Sequence, residues 1–164
     1  MKGINKRFAK LKLISKVTQF DTDGDSTITG KEKSSAPKVS GESETTSLTT
    51  ECTVADKGGK IEIEYSESEI TGMSGSVTKV IFDKSSPSLV TILREGSVST
   101  ALVFEEGKRH LCVYQTPYFP IELCITTLSL ENTLTYNGGR MNAEYLVEMN
   151  GILAEKTNIT ITVY

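Results

Sequence analysis

Apolar and polar residues alternate with period two along most of the chain. In Ile61-Glu-Ile-Glu-Tyr65, the residues Ile61, Ile63 and Tyr65 share one face and Glu62 and Glu64 take the other, because successive strand side chains point to opposite sides. Met141, Ala143, Tyr145, Val147 and Met149 likewise stand opposite Asn142, Glu144 and Glu148, and Ile159, Ile161 and Val163 share one side of the last segment. Such alternation buries one face and wets the other, as antiparallel sheets do. Turn signals punctuate the runs at Asp56-Lys-Gly-Gly59, Asp83-Lys-Ser-Ser-Pro-Ser88, Glu105-Glu-Gly107, Asn137-Gly-Gly139 and Asn150-Gly151. The two Asn-Gly pairs are the strongest, since a type I′ hairpin needs positive φ at both central positions.

The pattern predicts strands near 12–20, 45–54, 60–67, 76–83, 89–95, 98–105, 110–116, 121–128, 130–136, 140–149 and 155–163. Their connections are short, which favours a closed meander over a two-sheet sandwich with its longer crossovers. Closure also removes exposed edges. The expectation is all-β: one domain over 1–164, an antiparallel meander closed into a barrel of about eight to ten strands. One segment breaks the pattern. Residues 21–44 are polar, rich in glycine and serine and almost without apolar residues, and read as a long, flexible loop between the first two strands.

That loop carries the sharpest motif, Asp21-Thr-Asp23-Gly-Asp25-Ser-Thr27-Ile28-Thr29-Gly-Lys-Glu32. As a twelve-residue calcium loop it would offer the carboxylates of Asp21, Asp23 and Asp25, the backbone carbonyl of Thr27 and a bidentate Glu32. Against this, Ser26 stands where the sharp turn wants glycine, and Lys33-Ser-Ser-Ala-Pro37 is a poor exit helix. A solvated acidic loop is the favoured reading over a calcium site.

Composition narrows the function classes. Of the 164 residues, 37% are hydrophobic and 24% charged, ordinary for a chain that folds. A net charge of −3 argues against a nucleic-acid partner, which would want a concentrated basic surface. No apolar run is long enough to span a bilayer. The single histidine, His110, excludes multi-histidine metal sites. Three cysteines (Cys52, Cys112 and Cys124) are too few and odd in number for a secreted disulfide framework, so a reducing cytoplasm is expected. Nothing in the sequence requires a cofactor.

From about Glu62 to Val163 the chain resembles the YwiB-like family, small bacterial proteins of unknown function. The resemblance rests on Glu62-Ile-Glu-Tyr65-Ser-Glu, Leu93-Arg94-Glu-Gly96-Ser-Val, Val103-Phe104-Glu-Glu-Gly107, Tyr114-Gln-Thr116-Pro117-Tyr118, Asn137-Gly138-Gly139, and Tyr145 with Asn150. Phe119-Pro120 follows where the family usually has glycine. The resemblance implies a calycin-like, lipocalin-like barrel and supplies no activity to carry over.

Candidate site residues follow from the pattern. Arg94 falls on the face of Val90 and Ile92, which looks buried, so it reads as an anchor for an anionic head group or as half of a structural ion pair. Tyr114, Thr116 and Tyr118 bracket Pro117 at a strand end and, with Tyr145, could bond a ligand at the barrel mouth or close the barrel by packing. His110 shares a face with Cys112, yet no third group completes a nucleophilic pair. The leading expectation is a non-catalytic barrel that binds a small, partly apolar or amphipathic molecule. The alternative is an accessory module whose interior is filled by its own side chains and whose surface meets a protein partner. An enzyme ranks last, because the glutamates show no recognisable pairing.

Overall fold

The computed structural model describes residues 3–20 and 39–164, with residues 39–41 given by their backbone alone. Ten strands form: β1 (Ile4–Phe20), β2 (Val39–Lys57), β3 (Lys60–Ser66), β4 (Val77–Asp83), β5 (Ser86–Glu95), β6 (Thr100–Glu105), β7 (Arg109–Gln115), β8 (Pro120–Asn132), β9 (Gly139–Met149) and β10 (Ile152–Val163). They make one antiparallel sheet in the order β6-β5-β4-β3-β2-β1-β10-β9-β8-β7. Pairing of β1 with β10 joins the two halves of the meander, with Leu11 opposite Val163 and Gln19 opposite Glu155. The two outer strands, β6 and β7, are consecutive in sequence and touch through an antiparallel bridge between Ser99 and Gln115. The result is an all-β, nearly closed, ten-stranded barrel.

The element boundaries differ from the sequence reading in three places, each with a physical cause. Strand β1 starts at Ile4 rather than near 12, because its inward positions there include Arg7 and its outward ones include Phe8, which masks the alternation. Strand β2 starts at Val39, inside the segment read as a loop over 21–44. The strands expected at 121–128 and 130–136 fuse into β8, where a bulge between Thr127 and Ser129 resets the phase of alternation against β9.

Inward residues from every strand fill the middle of the barrel. Phe104, Ile61, Ile63, Leu11, Met141 and Ile161 are fully buried, and the Phe104 and Tyr145 rings meet at 4.8 Å with planes tilted by 55°. Each such side chain stabilises the fold by roughly 1.5–3 kcal/mol of transfer free energy. Among the described residues, hollows lie toward the two ends. No helix among the described residues is long and apolar enough to cross a membrane.

Candidate functional site

Strand β3 carries its inward series Ile61, Ile63, Tyr65 one step further, to Glu67, just past the strand's end. The carboxyl group of Glu67 is enclosed, its side chain 1% exposed. A buried charge must be met by donors or an opposite charge, and both are present. Thr78, inward on β4, donates its hydroxyl to Oε1 at 2.6 Å. Thr71 donates to Oε2 at 2.7 Å. Arg94, inward on β5 after Val90 and Ile92, brings its Nε to 3.5 Å from Oε1, with its side chain 12% exposed.

Local sequence holds Thr71 in place. Residues Glu69–Thr71 form one 3₁₀ turn, capped at its start by the Ser68 side chain accepting the Ile70 N–H at 3.2 Å. Gly72 ends it in the left-handed region at φ 74°.

Beside this pair lies a cavity of about 170 Å3, lined by Arg94, Glu67, Thr71, Tyr145 and Ser15 on its polar side and by Leu13, Val17, Met73 and Ile159 on its apolar side. Neither Nη nitrogen of Arg94 has a hydrogen-bond partner among the described residues, so two donor-bearing groups stay uncommitted in the wall of the cavity. Burial pushes the Tyr65 phenol up, and the neighbouring Glu67 carboxylate adds to the rise. Burial also raises Tyr145, partly countered by the Arg94 charge. Both phenols therefore remain protonated across the physiological range. Past Tyr145, burial raises the carboxyl of Glu155, which accepts a hydrogen bond from Gln19 at 3.2 Å.

A larger hollow of about 490 Å3 lies at the opposite end, between the β4–β5 and β8–β9 turns. Its one ionisable cation, Lys84, is already paired with Asp56, so its size brings no free charged group. The chemistry sits in the smaller cavity.

The structure brings two of the residues singled out by sequence, Arg94 and Tyr145, to one site. Tyr114 is half-buried on the inward side of β7, outside that cavity. Thr116 organises the β7–β8 turn: its hydroxyl donates to the Phe119 carbonyl at 2.8 Å and accepts from the Phe119 and Tyr118 N–H groups at 3.2 and 3.3 Å. Tyr118 is 89% exposed. Asp21, Asp23, Asp25, Thr27 and Glu32, the calcium candidates, lie outside the described residues. Among the described residues, no three acidic, histidine or cysteine side chains are grouped to hold a metal. Sequence reading passed over Glu67, although the alternation Ile61, Ile63, Tyr65, Glu67 signals an acid at an inward position.

Fold and site together define a side-chain-filled antiparallel barrel with a small polar cavity at one end. A family model described as Domain of unknown function (DUF1934) matches residues 31–161, and the chain belongs to that YwiB-like family. The crystal structure of the ywiB protein from Bacillus subtilis is similar in fold, with a TM-score of 0.69 at 20% identity, covering 95% of this chain and 91% of that one. Comparison with the curated proteins gives no significant match.

Proposed function

We propose that this chain is a non-catalytic, cytoplasmic binding protein that holds one small, partly apolar molecule at the Arg94 end of its barrel. The observation that carries the reading is the pair of uncommitted Nη groups of Arg94 in the wall of an amphipathic cavity. An almost buried cation that keeps free donors is poised for an acceptor from outside. The non-catalytic reading is supported by the occupation of Glu67, whose two oxygens already accept from Thr71 and Thr78. A general base needs a free lone pair directed at its substrate. The cytoplasmic reading is supported by the three free thiols of Cys52, Cys112 and Cys124.

A second reading, an accessory module that meets a protein partner, is favoured by the filled middle of the barrel and by Leu111 and Val113, which are 70% and 49% exposed on the outside of β7. One experiment separates the two. A set of fragments of up to about ten heavy atoms is screened by ligand-observed NMR against the wild-type chain and Ser15→Leu, which fills the cavity from β1. Ligand binding predicts hits that Ser15→Leu abolishes. An absence of hits, or hits indifferent to that substitution, overturns it and leaves the accessory reading.

A further inference from the structure

We infer that the cavity selects a small organic monocarboxylate, with the carboxylate on the Nη groups of Arg94 and a compact apolar tail against Leu13, Val17 and Ile159. This deepens the proposed function and rests on it. Three features of the site fix the ligand class.

Size is the first. A cavity of about 170 Å3 is close to the roughly 150 Å3 that admits one benzene, and below the roughly 300–1,000 Å3 of drug-sized pockets. A fatty acid does not fit, because the middle of the barrel beneath is closed by fully buried side chains such as Phe104 and Met141. The tail is limited to a ring or a short branched chain.

Charge is the second. Arg94 brings one positive charge and Glu67 one negative, within 3.5 Å of each other. Their sum is zero, so a bound anion stays uncompensated by its own charge, one unit for a monocarboxylate and up to two for a phosphate ester, and Glu155 lies nearby beyond Tyr145. A phosphate ester therefore meets two carboxyl groups with a single guanidinium to offset them. A monocarboxylate spreads one charge over two oxygens, at the spacing of a guanidinium fork.

Occupancy of Glu67 is the third, and it rejects zwitterions. Amino acids would place an ammonium against Glu67, the one carboxylate that lines the cavity among the described residues. That carboxylate accepts from Thr78 and Thr71 and faces Arg94 Nε, and only 1% of it is exposed. Its task is to position Arg94: the ion pair at 3.5 Å draws in the Nε edge, which makes no hydrogen bond among the described residues, and leaves the Nη edge to the cavity. Glu67 is thus a positioning residue.

The test is isothermal titration at pH 7 with benzoate, benzamide, phenyl phosphate, phenylalanine and octanoate as probes. Benzoate is expected to bind at least about tenfold tighter than each of the others, and Arg94→Lys is expected to weaken it by at least about tenfold, because an ammonium cannot reproduce the two-pronged contact. Ser15→Leu should abolish benzoate binding while the chain stays folded, which keeps the test decisive if Arg94→Lys does not fold. Equal affinity for benzamide, tighter binding of phenyl phosphate, phenylalanine or octanoate, or indifference to Arg94→Lys each overturns the monocarboxylate assignment and leaves the binding reading standing. If no probe binds while the fragment screen gives hits sensitive to Ser15→Leu, the assignment fails alone. A blank in both experiments removes the binding reading as well.

Discussion

Gly96 shows how tightly a single backbone position frames the site. It follows Arg94 by two residues, sits at φ +135°, and a Cβ placed on it would lie 2.3 Å from the Gly75 carbonyl oxygen and 2.8 Å from the Ser76 Cα. Both obstacles are backbone, so nothing flexible can give way, and the conformation itself is one that L side chains avoid. Gly107, at φ +76° with nothing within 4 Å, has only the conformational cost. Gly96→Ala is therefore expected to destabilise the chain by about 2–4 kcal/mol in urea unfolding, and Gly107→Ala by about 1 kcal/mol. Equal losses at the two positions would show that the β5–β6 turn does not press on the 67–76 segment. Since that segment carries Glu67 and Thr71, Gly96→Ala should also weaken any ligand held by Arg94. Sequence alone leaves Gly96 in the gap between the strands expected at 89–95 and 98–105; the backbone it touches lies about twenty residues away and is invisible to local pattern.

Strands β6 and β7 form the weak seam of the barrel. They are joined by a short turn and by the Ser99–Gln115 bridge, with no ladder between them. The turn is drawn instead onto β8, where Gly107 N–H donates to Thr127 O at 2.9 Å and Thr127 N–H to Lys108 O at 3.1 Å. Two buried polar atoms without a hydrogen-bond partner among the described residues, His110 Nε2 and Thr127 Oγ1, lie along the same seam. Each unmet group costs about 1–3 kcal/mol, so the resistance to opening is lowest here. Native-state hydrogen exchange is expected to be fastest, among the strand amides, on the β6 and β7 edges that face each other, and slowest in β1, which has a neighbour on both sides. Protection in β6–β7 equal to that in β1 would contradict an open seam. Period-two alternation made nearly every strand legible in the sequence, because each has one dry face. It failed at the bulge in β8, where Leu128 and Leu130 look like neighbours on one face but the reset of phase leaves Leu128 outside. It failed also at Arg7, an inward arginine whose Nε donates to the Tyr136 carbonyl at 2.6 Å. For the site, alternation found Arg94, yet only the fold supplied Thr71 and Thr78 to enclose Glu67.

Charge placement across the barrel sets how its stability changes with pH, and the two ends pull in opposite directions. Toward the end opposite the cavity, burial pushes the Glu62 carboxyl up, but the Lys57 and Lys79 ammonium groups, at 2.9 and 3.3 Å, outweigh it and hold it below the ordinary range. Asp56 is lowered by its bond to Lys84 and by the Gly59 N–H, and Asp83 by the Ser85 N–H and hydroxyl. A group whose folded pKa lies below its unfolded value stabilises the fold above the unfolded value and loses that contribution as pH falls through the folded one. These three therefore give an acid limb that begins near pH 4 and steepens below it. Near the cavity, Glu155 behaves in the opposite sense. Burial raises its carboxyl more than the Gln19 bond lowers it, so the folded chain takes up its proton more readily than the unfolded chain does. Its ionisation opposes folding, and stability rises as pH falls from neutrality through the raised value. The chain is expected to be most stable in mildly acid solution, near pH 5, rather than at neutrality. Glu155→Gln keeps an acceptor for Gln19 while removing the buried charge. It should raise the melting temperature at pH 7.5 by about 1–3 °C and leave it unchanged at pH 4.5. Thermal unfolding of the two chains across pH 4–8 decides the matter: a difference that is constant with pH, or one that grows toward acid, would mean that the Glu155 carboxylate is not disfavoured by the fold.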